Sequence, residues 1–350
     1  MDLQQLARLV SDKTGIPWGP RNAERALAAV FVSDSLWEIA HKSDEPLPAV
    51  SALVGLLLEE GMLRASSEGI FLTEDGKAFC ESMGVSPFED HTCPSCGVRG
   101  LSLDKFKGAL ERFYEIQRDR PEAAIRYDQG YVTPETTFAR IALADGRGDL
   151  RGKDVIIFGD DDLVGLALAM TGLARRVAVV EIDERIVEFE REAAVKLGLN
   201  FEVIMRDVRL PLPQELLKRF DTFFTDPPEA AEAMRVFVGR GISALKGVGG
   251  AGYFGLTRVE SSLVKWRSVE RLLLDMGVTI TDIIHHFNEY VNWGYLEQMK
   301  AWELAPVKQF PSKNWYYSSM FRIEVVESVE VPNADATGRD IYTDSESSTV

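Results

Sequence analysis

Between Asp154 and Phe254 the chain repeats one cadence: a short apolar run, a turn, a helix-length amphipathic stretch, then another apolar run. The apolar runs fall at Asp154–Phe158, Arg176–Ile182, Phe201–Met205, Thr222–Thr225 and Gly250–Phe254, with helical stretches at Leu163–Leu173, Glu184–Leu197 and Ala230–Leu245. Strands apolar at consecutive positions are buried on both faces, and strands joined through helices run parallel. The expected fold is therefore α/β, a Rossmann-like, doubly wound, mostly parallel sheet. A helix at Thr133–Ala144, a helix at Ser262–Met276 and strands near Thr279–Phe287 and Trp315–Val326 complete it.

Three segments flank this core. Residues 22–63 hold helix-period apolar stretches broken at Glu45-Pro46-Leu47-Pro48. Leu63–Ala65 and Ile70–Leu72 pair as a hairpin, and a helix follows from Thr73 to Cys80. That order predicts a small winged-helix-like domain over residues 1–90. Acids outnumber bases in it, so packing or dimerisation is expected of it and DNA binding is not. Residues 91–125 form a connector with Cys93-Pro94-Ser95-Cys96 and a helix at Leu103–Arg118, residues 126–326 the catalytic domain, and residues 327–350 an acidic tail expected to be mobile.

Charge narrows the partners. Lys and Arg number 39 against 55 Asp and Glu, a net charge of −16 that opposes attraction to nucleic acid and anionic membranes and favours small cations. No apolar run approaches the roughly 20 residues that span a bilayer, and the first residues lack a basic flank followed by an apolar core. Three cysteines are too few for a disulfide framework, so a soluble cytoplasmic protein is expected.

In an open α/β sheet the ligand sits outside the carboxyl ends of the strands, and four strand ends here carry acids. After the first comes Gly159-Asp160-Asp161-Asp162, where nucleotide-binding folds usually place a glycine-rich turn for phosphate. Three carboxylates repel phosphate and attract ammonium or sulfonium, since unit charges about 4 Å apart interact by roughly 4 kcal/mol at a surface-like dielectric. After the second, Glu181 is placed to accept hydrogen bonds from a ribose, and Asp183 to cap the next helix. After the third, Asp207 is placed to accept from an adenine amine. The fourth ends in Asp226-Pro227-Pro228-Glu229. Amine methyltransferases commonly carry an aromatic ring after two prolines here, and Glu229 suits a flexible alkylammonium instead of a flat base.

Cys93 and Cys96 have the spacing of half a structural metal site, zinc or iron, which His91 or the same pair from a dimer partner could complete. His41, His285 and His286 show no ligand or triad spacing and are expected to be structural or solvated.

The aspartate run, Glu181-Ile182-Asp183, Asp226-Pro227-Pro228-Glu229, the N-terminal winged helix, the Cys-x-x-Cys connector and the acidic tail together resemble the branched-chain polyamine synthases. The resemblance implies aminopropyl transfer from decarboxylated S-adenosylmethionine to the internal secondary amine of spermidine, with 5′-methylthioadenosine as by-product, and a thermophilic homodimer. It implies a catalytic aspartate at Asp160 or Asp162. Gly159, Asp161, Glu181, Asp207 and Asp226 would bind the donor; Tyr127, Asp128, Gln129, Asp226, Glu229 and Glu260 would bind the polyamine. Two rivals are an S-adenosylmethionine-dependent amine methyltransferase, against which the aspartate run argues, and a polyamine-responsive winged-helix regulator, against which the acidic wing argues.

Overall fold

The computed structural model describes residues 1–67, 69–89, 96 and 99–350. The N-terminal module runs α1 (Leu3–Thr14), α2 (Pro20–Val30), α3 (Leu36–Ser43), α4 (Leu47–Glu59), the hairpin β1 (Leu63–Ser66) and β2 (Gly69–Leu72), and α5 (Glu74–Ser82). The break expected at Glu45–Pro48 separates α3 from α4; the first helix and the break between α2 and α3 add to the expected order. Asp2 caps α1 by accepting from the Gln5 amide at 2.7 Å, and Asp44 ends α3 in a left-handed conformation.

After α6 (Lys107–Ile116) and α7 (Pro134–Gly146) come β3 (Asp154–Phe158), α8 (Val164–Thr171), β4 (Arg176–Glu181), α9 (Glu184–Leu197), β5 (Glu202–Met205) and β6 (Thr222–Thr225). Then follow α10 (Ala231–Ala244), β7 (Ala251–Leu256), α11 (Leu263–Asp275), β8 (Val278–Glu289), α12 (Lys300–Leu304) and β9 (Tyr317–Val325). The seven strands form one sheet in the order β5-β4-β3-β6-β7-β9-β8. All pairs from β5 to β7 are parallel; β9 pairs antiparallel with both β7 and β8.

The apolar runs are continuous because helices cover both faces. Val155, Ile157, Val177 and Val179 pack with residues of α6 to α9, whereas Ile156, Phe158, Ala178 and Val180 pack with residues of α10 and α11. The N-terminal module has a core that continues into the loops around the strand ends: Trp37 meets Trp315 with ring centroids 4.7 Å apart and donates to the Gln309 carbonyl at 2.8 Å.

The tail differs from the mobile segment expected. It has no helix or strand, yet Ala336 and Ile341 are buried against Ala230, Ala233 and Val236, and Arg240 donates to the Ala334 carbonyl at 2.6 Å. The groups that hold it lie in the body of the protein, so the tail's own polarity does not reveal them.

Candidate active site

Register brings the acidic strand ends level. Phe158 lies beside Val180 and Thr225, and Glu181 beside Met205, so the residues that follow these positions open into one crevice where the chain order reverses about β3. A cavity of about 850 Å³, counted to its open mouth, fills it. Its acidic walls come from Asp128, Asp161, Glu181, Asp207, Asp226 and Glu229, and its one basic side chain among the described residues is Arg206. Tyr127, Gln129 and Gly159 also line it.

Six of these carboxylates do different work. Glu181 accepts from the amides of Asp160, Ile182 and Asp183, each at 2.7 Å. A carboxylate has about four lone-pair sites, so one on Oε2 is left for a ligand hydroxyl. Asp207 is held by Arg209, whose Nη2 lies 2.7 Å from Oδ2. Asp226 accepts from Arg140 Nη2 at 2.6 Å and from the Tyr290 hydroxyl at 2.7 Å; burial pushes it up to about 6 against the pull of Arg140. No ion pair among the described residues holds Asp128, Asp161 or Glu229. Burial, and then Asp162, Glu181 and Asp226, push Asp161 well above the usual carboxylate range. Burial, Glu260, Asp128 and Asp226 do the same to Glu229, and burial and Glu260 to Asp128.

The turn after β3 separates its three aspartates. Gly159 takes φ +70°, a left-handed conformation open to glycine at little cost. Asp160 then turns inward, where its carboxylate accepts from the Val164 and Gly165 amides at 2.6 and 2.7 Å and caps α8. A Cβ on Gly165 would lie 2.7 Å from that carboxylate, so the small residue is required. Asp162 pairs with Arg140 Nη1 at 2.6 Å and accepts from the Val132 amide at 2.7 Å. Neither expected catalytic aspartate lines the cavity; the middle one, Asp161, does. In sequence the three are indistinguishable, because which carboxylate faces inward depends on the left-handed Gly159 and on Arg140.

Asp183 caps α9 through the Arg185 amide at 3.1 Å, as expected, and also holds Gln129 Nε2 at 3.0 Å. Gln129 thus positions the loop that carries Tyr127 and Asp128, and its carbonyl accepts from Trp293 Nε1 at 2.8 Å and the Tyr295 hydroxyl at 2.5 Å. Glu260 stands one step behind the wall. It accepts from the Tyr316 hydroxyl at 2.6 Å and from the Thr349 amide at 2.8 Å, so it anchors the tail beside the cavity. Tyr342 and Thr349 of that tail line the cavity directly.

Sequence reasoning missed the aromatic wall. Tyr290 and Trp293 stack with planes 8° apart, and Tyr316 meets Trp293 edge-on at 5.0 Å. The run Tyr290-Val291-Asn292-Trp293 just after the strand was its signal. Arg140 was also missed, although an arginine within the apolar stretch Phe138–Leu143 must be paired if buried. Of the expected thiolate site, Cys93 and the candidate His91 lie outside the described residues.

Fold and pocket together define a Rossmann-like transferase built for a cationic substrate. Residues 108–349 match the family described as the branched-chain polyamine synthase A C-terminal domain. The chain is 50% identical to the N(4)-bis(aminopropyl)spermidine synthase of Thermococcus kodakarensis over 99% of this chain and all of that one, and 45% identical to that of Thermus thermophilus over 96% of each. A crystal structure of the Thermus thermophilus branched-chain polyamine synthase, in complex with N4-aminopropylspermidine and 5′-methylthioadenosine, is 43% identical with a TM-score of 0.92, covering 99% of this chain and 98% of that one. The chain belongs to the branched-chain polyamine synthase family.

Proposed function

We infer that the protein transfers an aminopropyl group from decarboxylated S-adenosylmethionine to the internal secondary amine of spermidine. The products are N4-aminopropylspermidine, then N4-bis(aminopropyl)spermidine, with one 5′-methylthioadenosine released per transfer. The observation that carries this reading is a cavity with six carboxylates, of which only Asp207 and Asp226 have an ion pair among the described residues. An intact S-adenosylmethionine would bring a further carboxylate into it; the decarboxylated donor brings an ammonium and a sulfonium.

Strand order supports a division of the cavity. Asp207, Glu181 and the apolar Val180, Ile182 and Val208 lie toward the β5 and β4 side and suit the adenosine of the donor. Asp226, Glu229 and the Tyr290, Trp293 and Tyr316 rings lie toward the other side with Asp128, and suit a polyamine, whose ammonium groups gain from both carboxylates and aromatic faces. Asp161 follows β3, which lies between β4 and β6 in the sheet and so between the two groups.

The reaction is a displacement: the nitrogen lone pair forms a bond to the methylene beside the sulfonium, the carbon–sulfur bond breaks, and its electron pair becomes the thioether lone pair. Alignment of these three atoms accounts for much of the rate. The attacking amine must be unprotonated, and Asp161, with its raised proton affinity, is the group proposed to take the proton. Asp160 and Asp162 are proposed as positioning residues, through the α8 cap and Arg140. The second transfer converts a tertiary amine to a quaternary ammonium and releases no proton after bond formation, so Asp161 is needed there only to deprotonate the bound amine.

A cytoplasmic homodimer that does not bind nucleic acid, with Cys93 and Cys96 of both protomers sharing a zinc or iron ion, belongs to the same reading; light scattering and metal content per protomer test it. The main test is incubation with spermidine and either decarboxylated or intact S-adenosylmethionine, followed by mass analysis. Aminopropyl adducts with the decarboxylated donor alone are expected. Methylated spermidine, or no adduct from folded enzyme, refutes the reading.

A further inference from the structure

Two adjacent histidines on β8 and one aspartate from the N-terminal module meet away from the cavity. His285 Nε2 lies 2.7 Å from one oxygen of Asp44, and His286 Nε2 lies 2.7 Å from the other, across 241 and 242 positions of sequence. Ligand atoms of the three residues all lie within 4.8 Å of one another, and none of the three lines the cavity.

Consecutive residues on a strand ordinarily point to opposite faces. Here His286 takes a left-handed φ of 49°, and the pairing of β8 with β9 shifts register between Ile284 and Asn288, so the two imidazoles stack on one side with centroids 4.1 Å apart. Asp44 is also left-handed, with φ 54°. Non-glycine residues hold this conformation at a cost, and they gather where a site imposes it. The supporting contacts are those of a ligand set. Ser319 Oγ lies 3.1 Å from His285 Nδ1, which fixes the ring so that Nε2 faces Asp44, and the His41 ring packs 4.3 Å from that of His286.

We propose that Asp44, His285 and His286 form a binding site for a divalent transition metal, zinc above all, which clamps the N-terminal module to the edge strand of the catalytic sheet. Two imidazole nitrogens and a carboxylate suit zinc, and three protein ligands leave a fourth position for water. The alternative is a metal-free contact in which both imidazoles donate to one carboxylate.

The test uses the full chain with Cys93→Ser and Cys96→Ser, stripped of metal and shown to retain aminopropyl transfer. Cobalt(II) titration is expected to bind one equivalent per protomer with visible d–d absorption, zinc to displace it, and zinc to raise the melting temperature in a concentration-dependent way. Asp44→Asn, and separately His285→Gln with His286→Gln, should abolish the absorption. Ser319→Ala, which leaves all three ligands in place, should weaken zinc by about 10- to 100-fold. No stoichiometric cobalt or zinc binding by the active parent overturns the site, as does binding that is the same in all these variants.

Discussion

Two buried glutamates show how this molecule separates structure from function. Glu45, fully buried in the N-terminal module, accepts from Trp18 Nε1, Asn22 Nδ2 and Arg25 Nε, each at 2.8 Å. Glu229, 8% exposed in the cavity wall, has no ion pair among the described residues and has its proton affinity raised by burial and by three neighbouring acids. A buried charge is tolerated when it is paired and hydrogen-bonded, so Glu45 is complete within the fold. Glu229 has no such partner among the described residues, and we propose that a cation from outside completes it. On that proposal the contrast separates residues that hold the protein together from residues that wait for substrate.

Substitutions should divide along the same line. The largest effect is expected from Asp161→Asn, with kcat lowered about 10²- to 10⁴-fold and no loss of melting temperature, as measured by initial rates and calorimetry. An equal loss in Asp160→Asn accompanied by unchanged stability would reassign the proton acceptor. Glu45→Gln should lower stability by about 1.5–3 kcal/mol, the contribution of hydrogen bonds to a charged group, because Arg25 is part-exposed and stays hydrated, while the turnover of the folded fraction stays near wild type. Deleting residues 327–350 removes Tyr342 and Thr349 from the cavity wall and should raise the apparent spermidine constant by about tenfold, a loss near 1.4 kcal/mol. Glu229→Gln should raise the stability of the ligand-free enzyme, because burial and three neighbouring acids disfavour the charged carboxylate that the amide replaces.

A further effect is expected from pH. Asp226 has its affinity for a proton raised from the usual 3.8 to about 6, so the folded state binds protons that the unfolded state has already lost. The stability of the ligand-free enzyme should therefore decline as pH rises from about 4 through about 6, and Glu229, Asp128 and Asp161 extend the decline upward. Bound spermidine compensates the charge, so the melting-temperature increment it gives should grow over the same range.

Much of the catalytic sheet was legible because β3, β4, β6 and β7 are apolar runs between turns, a pattern that burial on both faces imposes, while β5 at the sheet edge is part-exposed. The strand ends Glu181, Asp207 and Asp226 were placed in the crevice by that reading alone. What escaped it lies in contacts remote in sequence. Asp160 or Asp162 was expected to be catalytic and Asp161 to bind the donor, whereas Arg140 and the α8 amides decide which of the three faces the cavity. The tail was judged by its own composition, whereas Glu260 and Arg240 anchor it. His285 and His286 lacked any nearby partner because Asp44 arrives from another module.

The most direct measurement is the calorimetric spermidine affinity of the wild type, Glu229→Gln and Glu45→Gln at one ionic strength and a temperature where all three are folded. A charge-assisted contact is worth about 1.5–3 kcal/mol, so Glu229→Gln should bind spermidine about 10- to 100-fold more weakly while Glu45→Gln binds as the wild type does. Wild-type affinity in Glu229→Gln would contradict the claim that the unpaired carboxylates of the cavity exist to hold the polyamine.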